Sequence, residues 1–322
     1  MIVVWRITQA CNLSCPFCSY DRTRPGPRAE ADLPTVQAFG AVLGALQRET
    51  GRRVLVSWLG GEPLLWRHFR AATVHLVEAC GLAVSVTTNG TALQSPELRA
   101  FVGDHLAELT VSVDAVGPQH DALRGWPGGF AALEQVITAL VQRRRERGRG
   151  PKLRINTVLM RATIGGYDAL CRRAAEWGVD ELTFNALGGR DRPEFFPEHG
   201  LRPADVADFA ARLPSLRREL AAAGVNLVGG ETYLARMQAS AAGEARAVAD
   251  CRPGEDFLFV DEAGRAGPCH FTATQLGVPL TELGAIDAWR ALPARLAAAR
   301  ARCRPAACED CHSTQVWAKF QR

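Results

Sequence analysis

The chain has 322 residues, of which 47% are hydrophobic and 22% are charged, so it can bury a sizeable core. That composition excludes disordered, collagen-like and coiled-coil chains, and a formal net charge of +4 requires no nucleic-acid partner. No long apolar run and no signal-peptide pattern occurs, so we expect a cytoplasmic protein without a membrane partner.

Short β-branched runs alternate with helix-length amphipathic segments up to residue 185. The predicted strands cover residues 2–8, 54–59, 83–88, 108–113, 153–160 and 181–185. Between the first two strands, Val36, Phe39, Leu43 and Leu46 recur at helical spacing, and later helices begin and end at similar signals. Six such repeats predict an α/β fold with a parallel sheet, an open six-unit barrel whose site lies at the carboxyl ends of the strands.

The cysteines fall into two groups. The chain has ten of them, and in a reducing compartment they favour metal binding or redox chemistry over disulfides. Cys11, Cys15 and Cys18 follow the first predicted strand with the spacing C-x3-C-x2-C. Three ligands are one short of a closed site, which is typical of a catalytic metal site that keeps a position for its substrate. A zinc loop completed by a distant residue is the alternative.

Further motifs stand where the next strands end. Gly60-Gly61-Glu62-Pro63 follows the second strand and Thr88-Asn89-Gly90-Thr91 the third. Ser112-Val113-Asp114 ends the fourth strand, with His120-Asp121 and Arg124 beyond it. Together with the cysteine triplet, these motifs resemble the radical S-adenosylmethionine (SAM) superfamily over residues 2 to 190. The resemblance implies a partial (β/α)6 TIM-like barrel.

The resemblance also implies cofactors and an activity. The three cysteines would hold a 4Fe-4S cluster whose open iron binds the amino and carboxylate groups of SAM. The residues implied to contact SAM are Gly60, Gly61, Glu62, Asn89, Ser112, Arg124 and the backbone at Phe17. An external low-potential reductant, such as flavodoxin or ferredoxin, would drive cleavage of SAM to a 5'-deoxyadenosyl radical that abstracts hydrogen from a C-H bond.

After residue 185 the repeat ends. A polar loop, residues 188–200, is either a substrate loop or a surface connection, and a helical stretch predicted to break at Pro214 follows it. We place a boundary at Gly229-Gly230, giving a barrel domain with its following helices over 1–228 and a cysteine-rich domain over 229–322. A hairpin is predicted at 257–260, turning at 261–264.

The second cysteine group lies in this last region. Cys251 and Cys269 form C-x12-G-x4-C, and Cys308 and Cys311 form a C-x2-C pair. The pattern resembles the Twitch extension of radical SAM enzymes, a relative of the SPASM domain, and implies one auxiliary 4Fe-4S cluster. A structural zinc ribbon is the alternative. Cys303 is surplus: it could replace a ligand, bind the cluster loosely, or donate hydrogen to a substrate radical.

Other conspicuous residues have structural interpretations. Cys80 and Cys171 lie in predicted helices and are expected to pack as small apolar groups. His270 and His312 stand beside cysteines and are expected to support the site or face solvent. The basic run at 143–149 falls at a helix end before a strand, where it complements the helix dipole.

These patterns support three functions. The leading expectation is C-H abstraction on a small sugar-like or amino-acid-derived substrate, followed by oxidation or epimerisation. It relies on a single auxiliary cluster and on a first strand that begins at residue 2, without a preceding peptide-recognition domain. The alternatives are a maturase of a ribosomally synthesised peptide, by crosslinking or epimerisation, and a non-catalytic iron-sulfur electron carrier.

Overall fold

Ten strands form one sheet in a computed structural model that describes residues 1–252 and 254–320, in the order β10-β9-β8-β1-β2-β3-β4-β5-β6-β7. Strands β1 to β7 pair in parallel in chain order, so the predicted α/β fold class is confirmed. The strands are β1 Ile2–Thr8, β2 Leu55–Gly60, β3 Ala83–Thr88, β4 Glu108–Ser112, β5 Lys152–Leu159, β6 Glu181–Ala186, β7 Asn226–Leu227, β8 Phe257–Val260, β9 Arg265–Gly267 and β10 Val278–Pro279.

Helices fill the connections, as the alternating pattern predicts. They are α1 Leu33–Thr50, α2 Phe69–Val74, α3 Pro96–His105, α4 Pro118–Arg124, α5 Gly129–Arg147, α6 Tyr167–Trp177, α7 Phe196–His199, α8 Pro203–Ala222, α9 Glu231–Ala241, α10 Ala273–Leu276 and α11 Ile286–Arg302. Helix α1 begins where Asp32 Oδ1 accepts a hydrogen bond from Thr35 N at 2.9 Å. It ends at Gly51, whose φ of +66° is the left-handed conformation that glycine adopts without strain.

The two faces of the sheet have different roles because successive side chains on a strand point to opposite sides. On β1, Trp5 is fully buried and its ring packs 5.7 Å from that of Phe39 on α1. Trp58 on β2 is also fully buried, with its ring 5.9 Å from Trp5. The intervening residues, such as Val4 and Ser57, line an internal cavity instead. The helices therefore cover the outside of the barrel and leave its interior for a ligand.

The C-terminal hairpin is confirmed, and it joins the barrel sheet. Strand β8 pairs in parallel with β1, and β9 returns antiparallel to β8. Trp289 of α11 packs 5.8 Å from Phe39, so the C-terminal region shares the core of the first βα repeat. The proposed boundary at 228/229 falls between β7 and α9 and stays a prediction.

The predicted helix break at Pro214 is wrong. Helix α8 runs through Pro214, although proline removes one backbone donor and crowds the preceding turn. Leu213 and Leu216 on either side are buried in the core, and this packing offsets the local cost. The local sequence around Pro214 predicts a break. The packing that keeps the helix continuous depends on residues that are distant in sequence.

The basic run at 143–149 ends α5, as predicted. Arg143 pairs with Asp104 at 2.8 Å, and Arg144 pairs with Asp180. These contacts support the structural interpretation of the run. Among the described residues, no helix combines the length and the hydropathy that crossing a membrane requires.

Substitution of Leu258 tests whether β8 belongs to the barrel core. Leu258 is fully buried, so Leu258→Ala should lower the free energy of unfolding by about 2–5 kcal/mol. The matched control is Leu65→Ala, because Leu65 is 48% exposed and its truncation should leave stability nearly unchanged. Anaerobic denaturant unfolding followed by far-UV circular dichroism measures both. Equal effects of the two substitutions would contradict the shared core.

Candidate active site

The first cysteine group lies in the loop that follows β1. The three thiols are free, and polar hydrogens point at two of the sulfurs. The Asn89 side-chain amide lies 3.7 Å from Cys11 Sγ, and the Tyr20 backbone N–H donates to Cys18 Sγ at 3.4 Å. Cys15 is buried, with Sγ 3.9 Å from the carbonyl oxygen of Arg124.

This donor set fits an iron-sulfur cluster. Burial raises the pKa of Cys18 to about 12, so the thiolate that binds metal requires a nearby positive charge such as iron. N–H groups directed at cysteine sulfur are among the interactions that tune cluster potential. Within residues 1–252 and 254–320, no three His, Cys, Asp or Glu side chains are grouped as ligands of a single metal ion.

Gly60 and Gly61 bring the second loop against the cysteine loop. A Cβ on Gly60 would lie 2.1 Å from the Thr8 carbonyl oxygen, and one on Gly61 would lie 2.0 Å from that of Ala10. Gly60 also has a φ of +145°, which side chains rarely adopt. The resemblance implies that these glycines contact SAM. In the structure the two glycines lie against the backbone of the cysteine loop, Gly60 at Thr8 and Gly61 at Ala10, the residue before Cys11.

Glu62 joins the second and third loops. Its side chain is fully buried, and its carboxylate accepts hydrogen bonds from Thr88 Oγ1 at 2.7 Å, Asn89 N at 2.7 Å and Leu64 N at 3.0 Å. Burial raises the pKa of Glu62 to about 7 despite these donors. A carboxylate has about four lone-pair positions, so one position remains for the contact to SAM that the resemblance implies.

Asn89 belongs to a small polar network that the motif analysis did not resolve. Its amide nitrogen donates to Asn12 Oδ1 at 3.0 Å, and its oxygen accepts from the Thr91 hydroxyl at 2.7 Å. Asn12 in turn donates to Thr91 Oγ1 at 2.9 Å. The network fixes the amide that faces Cys11. Asn12 lies within the cysteine motif itself, but nothing in the spacing distinguishes it from a variable position.

Arg124 is held by an acidic partner. Its Nε donates to Asp114 Oδ2 at 2.6 Å, and both side chains are buried. Burial acts to lower the pKa of Arg124, but the Asp114 carboxylate raises it above its usual range. The guanidinium carbon lies 5.4 Å from the centre of the Phe17 ring, a cation–π contact next to the cysteine loop. Ser112 ends β4 beside this pair and is half-buried.

His120 supports the same pair. The Asp114 backbone N–H donates to His120 Nδ1 at 3.2 Å, and burial lowers the pKa of His120 to about 4. The imidazole is therefore neutral at physiological pH. Its Nε2 is buried and has no hydrogen-bond partner among the described residues.

Four of the five C-terminal cysteines come together. Burial raises the pKa of Cys251, and the thiols of Cys269, Cys308 and Cys311 influence it from nearby. Cys311 N donates to the carbonyl of Arg246 at 2.8 Å, which ties the final C-x2-C segment to the chain preceding Cys251. These are the four residues predicted to bind the auxiliary cluster, and that role stays a prediction.

The remaining cysteines lie elsewhere. Cys303 ends α11, is exposed, and does not line the cavity in the described part of the chain, and its role as a hydrogen donor stays a prediction. Cys80 and Cys171 are buried in the core, as predicted. His270 and His312 line the cavity, and His312 Nε2 lies 2.9 Å from Asp310 Oδ2.

A cavity of about 600 Å³ occupies the barrel interior. The inner faces of β1 to β6 form its walls, with Phe17 and Cys18 on one side and Cys269 on another. Its volume is in the range of pockets that hold small ligands or side chains. The cavity thus reaches a cysteine from each of the two groups.

The polar loop at 188–200 contributes to this cavity. Gly188, Arg190 and Asp191 line it. Arg192 reaches back to the cysteine loop, where it pairs with Asp21 at 3.3 Å and donates to the Cys18 carbonyl at 3.4 Å. Of the two interpretations of this loop, these contacts favour the substrate loop.

The same residues match a known family. Residues 5–161 match the model of the radical SAM superfamily, the segment that carries the cysteine triplet and the motifs at the ends of β2, β3 and β4. Residues 5–161 therefore form a radical SAM domain, and the chain is a radical SAM enzyme. Membership implies a 4Fe-4S cluster and SAM as cofactors.

Individual proteins resemble the chain over most of its length. The PqqA peptide cyclase of Xanthomonas euvesicatoria pv. vesicatoria (strain 85-10) is 24% identical over 330 residues, covering 98% of this chain and 80% of that protein. The structure of Streptococcus suis SuiB bound to S-adenosylmethionine aligns with a TM-score of 0.66 at 17% identity, over 89% of this chain. This chain spans 65% of the SuiB chain. Native anSMEcpe with bound AdoMet aligns with a TM-score of 0.62 at 17% identity, over 84% of this chain and 75% of that chain.

The raised pKa of Glu62 predicts a pH-dependent stability. An unfolded glutamate titrates near 4.3, so between about pH 4.3 and about pH 7 the folded chain binds the extra proton and wild type loses stability as pH rises. Glu62→Gln removes this loss. The difference in unfolding temperature, variant minus wild type, should therefore increase from pH 5.5 to pH 8.

Glu97→Gln is the control for that experiment. Glu97 is on the surface, and its hydrogen bond from Ser95 lowers its pKa below 4.5, so it stays ionised in both states above pH 5. Its substitution should give a pH-independent difference. Both differences are measured by anaerobic thermal unfolding. The raised pKa of Glu62 is contradicted if the two variants show the same dependence of this temperature difference on pH.

Proposed function

We propose that the chain is a maturase that modifies a ribosomally synthesised peptide by radical SAM chemistry. The observation that carries the proposal is the cavity of about 600 Å³ that reaches Cys18 and Cys269, one from each thiol group. A cavity in this place admits one peptide side chain between the two groups. The radical would be generated beside the first group, and Cys269 of the second group lines the same cavity.

The relatives support a peptide substrate over the small molecule favoured by the sequence. Curated relatives include PqqA peptide cyclases, and a structure of SuiB bound to the precursor peptide SuiA aligns with a TM-score of 0.65. A structure of anSMEcpe with a bound Cp18Cys peptide aligns with a TM-score of 0.61. The starting point of the chain is no argument against a peptide, because a recognition domain can be supplied by another chain.

The residues around the first cysteine group would have separate roles. Cys11, Cys15 and Cys18 would hold the cluster, which when bound with SAM supplies a 5'-deoxyadenosyl radical. The Asn89 amide donates toward Cys11 Sγ and stabilises negative charge on that sulfur. The Arg124 guanidinium is fixed by Asp114 and keeps its other N–H groups for a carboxylate. The loop at 188–200, which lines the cavity with Gly188, Arg190 and Asp191, would limit the entry of water.

The second group supports an auxiliary cluster in the same enzyme. Cys251, Cys269, Cys308 and Cys311 would provide the four thiolates that such a cluster requires, and Cys251 and Cys311 each lie near enough to other thiols of the set for those thiols to influence their pKa. Arg300 braces this set, because its Nη1 donates to the Ala249 carbonyl at 2.8 Å near Cys251 while the guanidinium also contacts Cys308. A positive charge at that position favours the reduced form of a bound cluster. This suits an electron acceptor.

Product analysis tests the maturase. The anaerobic, reduced enzyme with SAM and the peptide encoded beside its gene should release 5'-deoxyadenosine and yield a peptide of altered mass. Cys18→Ala should abolish both, and Cys171→Ala is the matched control because Cys171 is buried in the core. An unchanged peptide with turnover of a free sugar or amino acid would support the small-molecule function instead. No 5'-deoxyadenosine at all would indicate an electron carrier.

Iron content tests the two clusters. The wild-type chain, prepared anaerobically, should contain about eight irons, and Cys11→Ala and Cys308→Ala should each retain about four, because each substitution removes a ligand of one cluster only. Cys303→Ala should retain all of them, since Cys303 is exposed and is not one of the four predicted ligands. Loss of iron in Cys303→Ala, or about four irons in wild type, contradicts the assignment.

A further inference from the structure

Lys319 lies in the cavity although it belongs to the last segment of the chain. The residue is 3% exposed and lines the barrel interior. Its Nζ donates to Asn185 Oδ1 at 2.7 Å and lies 3.3 Å from Asn156 Oδ1. These acceptors are neutral amides on the inner faces of β5 and β6. The ammonium is therefore buried and hydrogen-bonded, but nothing in these contacts balances its charge.

Other cations along the cavity have acidic partners. Arg154 pairs with Glu108 at 3.1 Å, and Arg236 pairs with Asp310 at 2.6 Å. The cavity walls thus contain several balanced pairs. For Lys319, no carboxylate of residues 1–252 or 254–320 lies within ion-pair distance of Nζ. Of these three cations, Lys319 is the one without a carboxylate partner in the part of the chain that the structure describes.

A buried ammonium is costly unless it is paired with a negative charge. Burial lowers the pKa of Lys319 to about 7, in keeping with that cost. The choice of lysine is itself unusual, because Lys152 and Lys319 are the two lysines among 38 Lys and Arg residues. A lysine is a compact point charge that can turn toward a new partner, whereas arginine requires a wider planar site.

We propose that Lys319 anchors a carboxylate of the peptide substrate inside the barrel. This inference rests on the proposed function for the substrate class and narrows it to a peptide with an acidic side chain near the modified residue. The bound carboxylate would replace or share the two asparagine acceptors and complete a charge-assisted hydrogen bond. Asn156 pairs with Ser112 across β4 and β5, so this anchor lies level with an implied SAM contact.

SAM also carries a carboxylate, and the experiment must separate the two sources. The two lysines make this practical, because a chain labelled with [ε-13C]lysine gives two signals. Lys152 is on β5, where it pairs with Glu181 at 2.6 Å, and its side chain is 39% exposed. A Lys152→Gln variant assigns the remaining signal to Lys319. The probes are N-acetylglutamate methylamide and the neutral N-acetylglutamine methylamide, added to cluster-loaded, oxidised enzyme saturated with SAM.

The glutamate probe should shift the Lys319 signal and leave the Lys152 signal in place. It should bind about tenfold more tightly than the glutamine probe, as a charge-assisted hydrogen bond predicts. In Lys319→Gln the two probes should bind equally. An unfolding temperature close to that of wild type confirms that the variant is folded, and Lys319→Arg serves as a second, charged variant that should retain part of the preference.

Two results would overturn the proposal. One is a Lys319 signal that shifts when SAM is added and does not shift further with the glutamate probe. That result would mean that the carboxylate bound by Lys319 belongs to SAM. The other is equal binding of both probes to wild type. Neither result depends on turnover, so either one can contradict the carboxylate site at Lys319 without contradicting the maturase proposal. Conversely, if the glutamate probe shifts the Lys319 signal but the enzyme does not modify the peptide, the carboxylate site is supported and the maturase proposal is contradicted.

Discussion

One buried carboxylate holds the active-site loops together. Glu62 accepts hydrogen bonds from Thr88 and Asn89 of the third loop, while its own backbone N–H donates to the Ala10 carbonyl of the first loop at 2.8 Å. Three separate strand ends are thereby fixed relative to one another. Because Cys11 follows Ala10 directly, the position of the cluster-binding loop depends on this contact. Losing the carboxylate would leave several buried donors without acceptors.

The barrel interior combines fixed charge pairs with polar groups that remain free for a ligand. Arg124 and Asp114 neutralise each other beside the cysteine loop, and the neutral His120 accepts a hydrogen bond from the Asp114 backbone N–H. Lys319 stands apart from this arrangement because its hydrogen-bond acceptors carry no charge. A bound carboxylate would give the Lys319 ammonium a partner of opposite charge.

Much of the fold could be predicted from the sequence because strands and helices leave periodic patterns. The strand predictions at 2–8 and 83–88 match the structure, and the others shift at their ends by one residue. The cysteine groups could be predicted from spacing. Tertiary features could not: the packing that carries α8 through Pro214, the pairing of β8 with β1, and the entry of Lys319 into the barrel all join residues distant in sequence.

The pairing of β8 with β1 has a consequence for the two cysteine groups. Cys11 follows β1 and Cys269 follows the hairpin that starts at β8, so each thiol group extends from one of two adjacent strands. The hydrogen bonds between these strands fix their relative position, and with it the starting points of the two cysteine segments. Movement of the loop at 188–200 would therefore leave the relative position of the two strands unchanged.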